Sequence, residues 1–228
     1  KAAQDRATKD NITMSFIYAP RSYSSESKQE AITDLLTNTV PDRDYYVLVI
    51  GAVALAVCAI FSDSLAVLIA SMIVAPLAYP ILALGFSAVV FDGRLFIRAF
   101  LLLLISLVVA LLLAYLATYI FGHIRVDLLK ISFSGNLYIA TTVAVIAGAI
   151  AAYGLIRSKV GGAMTGIGIA VSLMPPLVAT GIGAADADVA FAIQAFVLFL
   201  LNVLGIIVGS AGVFSLFGMR SEYRRRIR

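Results

Sequence analysis

Residues 72–86 read MIVAPLAYPILALGF, an apolar run that contains Pro76 and Pro80. The run lies inside a longer apolar segment, Ser64–Phe91, and about 20 apolar residues are enough for one membrane crossing. A proline inside a helix removes a backbone hydrogen bond and clashes with the preceding turn. In lipid, the freed backbone groups must be satisfied by protein or by water in a cavity. The stretch therefore predicts a helix that is broken at membrane depth.

A second proline pair occurs 100 residues later, in GIAVSLMPPLVATGIGAA, residues 168–185. Ile69-Ala70 matches Ile169-Ala170, and Pro76-Leu77 matches Pro176-Leu177. Each pair of prolines lies in the middle member of a group of three apolar segments. Because three crossings are an odd number, the second group must enter the membrane from the opposite side. The pattern predicts an inverted repeat with two broken helices, which is typical of a transporter binding site.

The composition is that of an integral membrane protein. Of the 228 residues, 61% are hydrophobic and only 13% are charged, against about 25% in soluble domains. The mean hydropathy is +1.00. A single cysteine, Cys58, and a single histidine, His123, argue against a metal site, and no cofactor is indicated. Since no nucleophile and base lie together at depth, we expect no enzymatic activity.

Six apolar segments are long enough to span a bilayer, which predicts an all-α polytopic membrane protein with six transmembrane helices in a 3+3 inverted repeat. The second and fifth segments are predicted to be broken by their prolines. In chain order the segments are Tyr45–Phe61, Ser64–Phe91, Leu95–Phe121, Leu137–Ile156, Gly161–Gly183 and Val189–Phe217.

The basic residues predict the orientation. With the N-terminus inside and six crossings, 15 lysines and arginines lie on the inner side and two, Arg125 and Lys130, on the outer side. Because positive charge is retained on the cytoplasmic side, both termini are predicted to be cytoplasmic and the membrane to be the inner (cytoplasmic) membrane.

The same pattern divides the chain into five regions. Residues 1–44 form a cytoplasmic segment with an amphipathic helix at about 27–38, lying either on the membrane face or on a small soluble domain as an ordinary surface helix. The start without methionine leads us to expect a longer protein with a further N-terminal domain. The other regions are a first three-helix repeat (45–121), an outer loop (122–136), a second repeat (137–217) and a basic tail (218–228). The tail is a positive flank that can also meet anionic lipid headgroups.

The three stretches MIVAPLAYPILALGF, GIAVSLMPPLVATGIGAA and FLLNVLGIIVGSAGVF (residues 199–214), in this order, resemble a bacterial and archaeal membrane family, the domain of unknown function 389. The resemblance covers roughly residues 45–217. It implies a shared fold and a shared pair of broken helices, and an additional soluble N-terminal region as in many members. Tyr79 departs from the family pattern, which favours glycine or another small residue there, and so it puts a wide pathway in doubt.

No Asp, Glu, Lys, Arg or His lies at the centre of a span, which argues against a carboxylate-driven proton antiporter. The predicted substrate site therefore consists of neutral polar groups and of backbone groups freed at the breaks. Its residues are Ser71, Pro76, Tyr79 and Pro80 from one half, and Ser172, Pro175, Pro176, Thr180 and Asn202 from the other. The alternative for each serine and threonine is a hydrogen bond to its own helix. For Asn202 it is an interhelical bond.

Small faces, Gly162-x-x-x-Gly166 and Gly205-x-x-x-Gly209, predict close helix packing within the chain or between copies in a homo-oligomer. Two functions follow from these features. The first is a transporter or channel for a small solute or ion, centred on the broken helices. The alternative is a non-transporting membrane anchor or oligomeric assembly protein that serves a cytoplasmic N-terminal domain. The predicted partners are the lipid bilayer and the solute, with no nucleic acid.

Overall fold

The structure is a computed structural model that describes residues 25–122, 137–157 and 162–227. The side chains of residues 162–172 and 227 lie outside this description. The N-terminal residues 1–24, most of the predicted outer loop with His123, and Lys159 also lie outside it.

Every element among the described residues is an α-helix. Hydrophobic side chains dominate all of them except the first and the last, so that nearly the whole described chain can be buried in protein or lipid. In chain order the helices are α1 (Ser25–Thr37), α2 (Arg43–Phe61), α3 (Leu65–Val74), α4 (Ala78–Val90), α5 (Gly93–Phe121), α6 (Leu137–Ile156), α7 (Gly162–Ala185), α8 (Val189–Leu216) and α9 (Met219–Ile227).

Helices α3 and α4 form one apolar segment with a bend of 51° between them. Ala75, the residue before Pro76, has extended backbone angles (φ −65°, ψ 121°), as expected because a proline disfavours the helical conformation of its predecessor. The prediction of a broken second helix is therefore confirmed. Pro80 lies in the first turn of α4, where a missing N–H costs little.

The prediction of a broken fifth helix is wrong. Helix α7 runs continuously through Pro175 and Pro176. The residues beside the prolines explain this, because Leu173, Met174 and Leu177 have no exposed surface. Helix α7 also contacts six other helices, namely α2, α3, α4, α5, α6 and α8. Packing on several sides holds the proline-bearing turn helical despite the lost backbone bonds.

Close contacts at glycines join the helices. A Cβ at Gly209 would meet the Val145 carbonyl, and one at Gly148 would meet Ile206, so α6 and α8 touch backbone to backbone. The Gly205–Gly209 face therefore packs within the chain. The Gly162–Gly166 face lies where side chains are not described.

The middle segment of each half packs against the third helix of the other half. Gly85 of α4 lies against Ser210 and Ile207 of α8, and Gly181 of α7 lies against Ala114 and Leu111 of α5. The first and third helices of each half run side by side, as the ring contacts Phe61–Phe121 (5.4 Å) and Tyr153–Phe217 (6.0 Å) mark. The two halves thus share one packing scheme.

Helix α1 extends over Ser25–Thr37, which confirms a helix close to the predicted range. Its buried residues Ala31, Ile32 and Leu35 form one face, and α1 contacts α4, α6 and α9. This apolar face is therefore covered by protein. The basic tail, predicted only as a charged flank, forms α9 and packs against α1, α4 and α8.

Four helices of the described chain are long and apolar enough to cross a membrane, namely α2, α5, α6 and α8. The bent pair α3–α4 makes a fifth such segment. Many apolar side chains of these helices are exposed, for example Ile97, Leu112, Ile139 and Val208. Surfaces of this kind are stable in lipid rather than in water, as expected of a membrane protein.

Candidate functional site

The break between α3 and α4 leaves specific backbone groups without their helical partners. In an α-helix the carbonyl of residue i accepts from the N–H of residue i+4. Because proline has no N–H, the carbonyls of Met72 and Pro76 cannot accept from Pro76 and Pro80. Leu77, at the start of α4, makes no side-chain capping bond. The segment therefore presents carbonyls and N–H groups at the same point.

The corresponding carbonyls of α7 are those of Val171 and Ser172, which face Pro175 and Pro176 four residues later. The surroundings of the second pair are apolar and closed, since Leu173, Leu177 and Val178 are fully buried. Helix α7 contacts both α3 and α4. The two proline-bearing segments are thus neighbours, with one broken and the other continuous.

The predicted hydroxyl ligands are engaged within their own helices. Ser71 is fully buried, and its Oγ donates to the Leu68 carbonyl at 2.7 Å. The Thr180 Oγ1 donates to the Pro176 carbonyl at 2.7 Å. The side chain of Ser172 lies outside the described residues. Asn202 is buried in α8.

Tyr79 contacts the N-terminal helix. Its hydroxyl donates to the Asp34 Oδ2 at 3.2 Å, so the first turn of α4 is tied to α1. The sequence gives no signal for this partner, because Asp34 is one of several polar residues on α1 and lies 45 positions away. Tyr79 is half-buried and Pro80 is buried.

A second polar pair lies between α2 and α5. The Ser106 Oγ donates to the Leu102 carbonyl at 2.8 Å, which uses its only proton. The Tyr45 hydroxyl, 2.8 Å away, is therefore the donor to Ser106. Both residues are buried, and hydrophobicity alone does not reveal that they pair.

The N-terminal and C-terminal helices are joined through Glu222. Although Glu222 is an acid in a basic helix, it is only 7% exposed. Its Oε2 accepts from the Ser25 Oγ at 3.0 Å and from the Gln29 Nε2 at 3.3 Å. These hydrogen bonds stabilise the carboxylate and lower the pKa of Glu222 below its ordinary value, against the opposing effect of burial.

Helix α9 is also fixed to the turn between α4 and α5. The Tyr223 hydroxyl donates to the Asp92 Oδ2 at 2.6 Å, while the Asp92 Oδ1 caps α5 by accepting from the N–H groups of Arg94 and Leu95. The bond from Tyr223 is the main cause of a lowered pKa at Asp92. Burial, followed by the bond to Asp92, raises the pKa of Tyr223 to about 12.

These contacts bring together segments that the charge pattern predicts to lie on one side. Asp92 touches α9, α9 touches α1, and a cleft of about 470 Å³ lies between α1 and the end of α6 at Gly154 and Leu155. Within the described part of the chain, no three His, Cys, Asp or Glu side chains are grouped as metal ligands would be.

Comparison with known proteins places this architecture in a family. No solved structure matches the chain. An uncharacterized protein of Methanocaldococcus jannaschii is 29% identical over 222 residues, which cover 93% of this chain and 67% of the relative. The family described as Domain of unknown function (DUF389) matches residues 72–208, from the end of α3 through most of α8. Because the match covers more than half of the chain, including the break between α3 and α4 and the whole of α7, the chain belongs to the DUF389 family.

Proposed function

We propose that this protein is a transporter or channel for a small solute or ion and that it has no enzymatic activity. The observation that carries the proposal is the bend of 51° at Ala75–Leu77 inside an apolar segment. Irregular backbone at membrane depth is tolerated where it is buried in protein or lines a water-filled cavity. A break in that position is the usual backbone element of a transporter site.

The chemistry of the break suits a small ion or a polar solute. The carbonyls of Met72 and Pro76 offer oxygen ligands to a cation, and the start of α4 offers N–H groups to an anion or a carboxylate. In the proposed site the two proline-bearing segments therefore have different roles. The α3–α4 segment supplies the backbone groups freed at the break, and the continuous helix α7 forms one side of the site. Pro76 and Pro80 belong to this site, and Pro175, Pro176 and Thr180 line it as part of α7.

We further propose six crossings with both termini in the cytoplasm of a cell bounded by this inner membrane. The grouping of α1, α9, Asp92 and the end of α6 at one end of the bundle supports this orientation. The exchange of contacts between halves, α4 with α8 and α7 with α5, supports an inverted repeat. A homo-oligomer would cover part of the exposed apolar surface.

A flux measurement tests the proposal. The chain would be reconstituted in proteoliposomes and screened against small anions, alkali cations and neutral polar solutes. We expect flux for one class, and we expect Pro76→Ala to change it several-fold because the new N–H can pair with the Met72 carbonyl. Pro41→Ala is the matched control, since Pro41 is exposed and lies before α2, outside the proposed site. Absence of flux for all three classes, with the protein folded and inserted, would refute transport.

The second candidate is a membrane anchor or assembly protein that serves a cytoplasmic N-terminal region. The observation that favours it is the fixed position of α1, whose apolar face is buried and whose polar side chains bond α9 and α4. An anchor needs such a rigid connection. If the protein is an anchor, Pro76→Ala should show no flux above that of empty vesicles, and its oligomeric state should stay intact.

A further inference from the structure

We propose that the cleft beside α9 is a binding site for the phosphate group of an anionic phospholipid. The cleft has a volume of about 520 Å³ and is lined by Gly218, Arg220, Ser221, Arg224 and Arg225. Three guanidinium groups within six residues give it a strong positive charge. Guanidinium N–H groups match phosphate oxygens in geometry and charge, often in pairs.

Positive charge remains in the cleft after its acidic neighbour is counted. Arg225 Nη1 lies 3.4 Å from the Glu222 Oε1, so one charge is offset in part. Among the described residues, Arg225 is the cleft arginine that forms an ion pair with a carboxylate. Arg220 and Arg224 therefore stay available to an anion.

The arginines are the donors in this cleft. The Ser221 hydroxyl donates to the Gly218 carbonyl at 2.8 Å, so its proton is used. The Arg220 Cζ lies 4.5 Å from the centroid of the Phe91 ring, a cation–π contact that orients the guanidinium group. Arg220 is thus held in place before a ligand arrives.

The position of the cleft favours a lipid over free phosphate. It begins two residues after Leu216, the last residue of α8, which is one of the helices able to cross a membrane. Leu216 is 85% exposed and Phe91 is 75% exposed, so apolar surface adjoins the arginines. Charge beside exposed apolar side chains at a helix end is the arrangement found at the headgroup layer. The inference does not depend on transport activity.

The chain offers a matched control at the next position. Arg226 carries the same charge as Arg225, but its Nη1 donates to the Thr33 Oγ1 at 2.7 Å and it is not part of the cleft lining. Arg226→Gln therefore removes one positive charge from α9 and leaves the cleft intact.

The test uses the full chain in a mild nonionic detergent, titrated with phosphatidylglycerol or phosphatidylcholine, with retained lipid counted by native mass spectrometry. We expect retention of phosphatidylglycerol only. Each arginine near an anionic surface contributes roughly a fivefold gain in affinity. The triple variant R220Q/R224Q/R225Q should therefore bind on the order of 100-fold more weakly and the single variant R224Q about fivefold more weakly. R226Q removes the same single charge outside the cleft and should bind phosphatidylglycerol like the wild type.

Three outcomes would overturn the inference. Equal retention of both lipids would show that the headgroup charge is not recognised. Equal loss of phosphatidylglycerol in R226Q and in R224Q, which each remove one charge from α9, would show that total charge, and not the cleft, attracts the lipid. Displacement of the lipid by inorganic phosphate at the same concentration would identify a free-phosphate site. Thermal unfolding of each variant shows whether the protein has remained folded.

Discussion

The segments α3–α4 and α7 have similar sequences around their prolines, but α3–α4 is broken and α7 is one continuous helix. Both contain two prolines, and the Ile-Ala and Pro-Leu pairs match at an offset of 100 residues. One segment bends by 51° at Pro76, and the other continues through Pro175 and Pro176. The contrast teaches that prolines remove bonds, while the neighbouring helices decide whether the axis bends.

Proline spacing is one part of the difference. Pro76 and Pro80 are four residues apart, so α3 can stop at Val74 and α4 can restart with Pro80 in its first turn, where the ring is well tolerated. Adjacent Pro175 and Pro176 instead remove two consecutive backbone bonds from one turn of α7. Two prolines four residues apart therefore allow one helix to end and the next to begin at little cost in free energy.

Packing is the other part. Ile73, beside the break, is 55% exposed, whereas Leu173 and Leu177 beside the second pair are fully buried. A bend in α7 would open voids against the helices on several sides, and buried voids cost free energy in proportion to their volume. The break in α3–α4 has an open side at Ile73, although Met72 and Leu77 beside it are buried.

Truncation of side chains next to the two proline pairs gives the largest expected contrast. Leu177→Ala in α7 should lower the free energy of unfolding by about 2–5 kcal/mol, because the cavity lies in a closed environment. Ile73→Ala beside the break should cost less than about 1 kcal/mol, as at other exposed positions. Reversible unfolding in mixed micelles with a denaturing detergent measures both.

The two truncations remove the same kind of apolar side chain, so each serves as the control for the other. Similar losses in the free energy of unfolding in both variants would contradict the view that the buried contacts around α7 keep it a continuous helix.

Overpacking at a glycine should have the next largest effect. A Cβ at Gly181 would lie 2.6 Å from the Ala114 Cβ and 2.9 Å from the Leu111 carbonyl. Gly181→Ala should therefore push α7 away from α5 and lower the free energy of unfolding by about 1–3 kcal/mol. Thermal unfolding in detergent measures the change.

Gly51→Ala in α2 is the matched control, since nothing lies within 4 Å of the added Cβ. It should be neutral or stabilising by up to about 1 kcal/mol, because alanine favours a helix more than glycine does. If Gly181→Ala behaved like Gly51→Ala, α7 would not be in close contact with α5.

The far end of the broken segment is fixed by a hydrogen bond that depends on pH. The pKa of Asp92 is lowered in the folded state by the Tyr223 hydroxyl, so the bond stabilises the fold fully above the ordinary pKa of 3.8 and loses its effect as the pH falls through the lowered value. Tyr223→Phe should cost about 1 kcal/mol at pH 6 and clearly less at pH 3.

The difference between wild type and Tyr223→Phe at each pH removes the contribution of Glu222, which titrates in the same acidic range. At the other extreme, the pKa of Tyr223 is raised to about 12. The stabilisation is therefore present below pH 10 and is lost as the pH rises through 10 to 12. A cost of Tyr223→Phe that did not change between pH 6 and pH 3 would contradict this account.

The sequence predicts the helices well because their signals are local. Hydrophobic length and the turn residues between segments place α6 at Leu137–Ile156, as predicted, and the other long helices within two residues at either end. The break at Pro76 also follows from local chemistry, since a residue before proline disfavours the helix. Two matching dipeptides, Ile-Ala and Pro-Leu, relate the two proline pairs at an offset of 100 residues.

Contacts between distant segments have no comparable signal. Nothing near Tyr79 identifies Asp34 as its partner, and nothing in the basic tail indicates that Glu222 is buried against Ser25. For the same reason, the sequence of α7 does not predict that this helix continues through its prolines. The continuity depends on which helices surround it. Six crossings and the substrate site stay predictions.

Restoring a backbone N–H donor in α7 gives the smallest expected change in the free energy of unfolding. It tests whether the surrounding helices or the proline ring keep α7 continuous. Pro176→Ala supplies an N–H for the Ser172 carbonyl, which is worth about 0.5–1.5 kcal/mol. It also frees the unfolded chain, which costs about 0.4–1 kcal/mol. Because the two effects are similar in size and opposite in sign, they nearly cancel, and the free energy of unfolding should change by less than about 1 kcal/mol. Detergent unfolding of Pro176→Ala beside Pro76→Ala measures this. A loss well above that value would mean that the proline ring itself fills space that alanine leaves empty, and straightness would then come from the proline rather than from its neighbours.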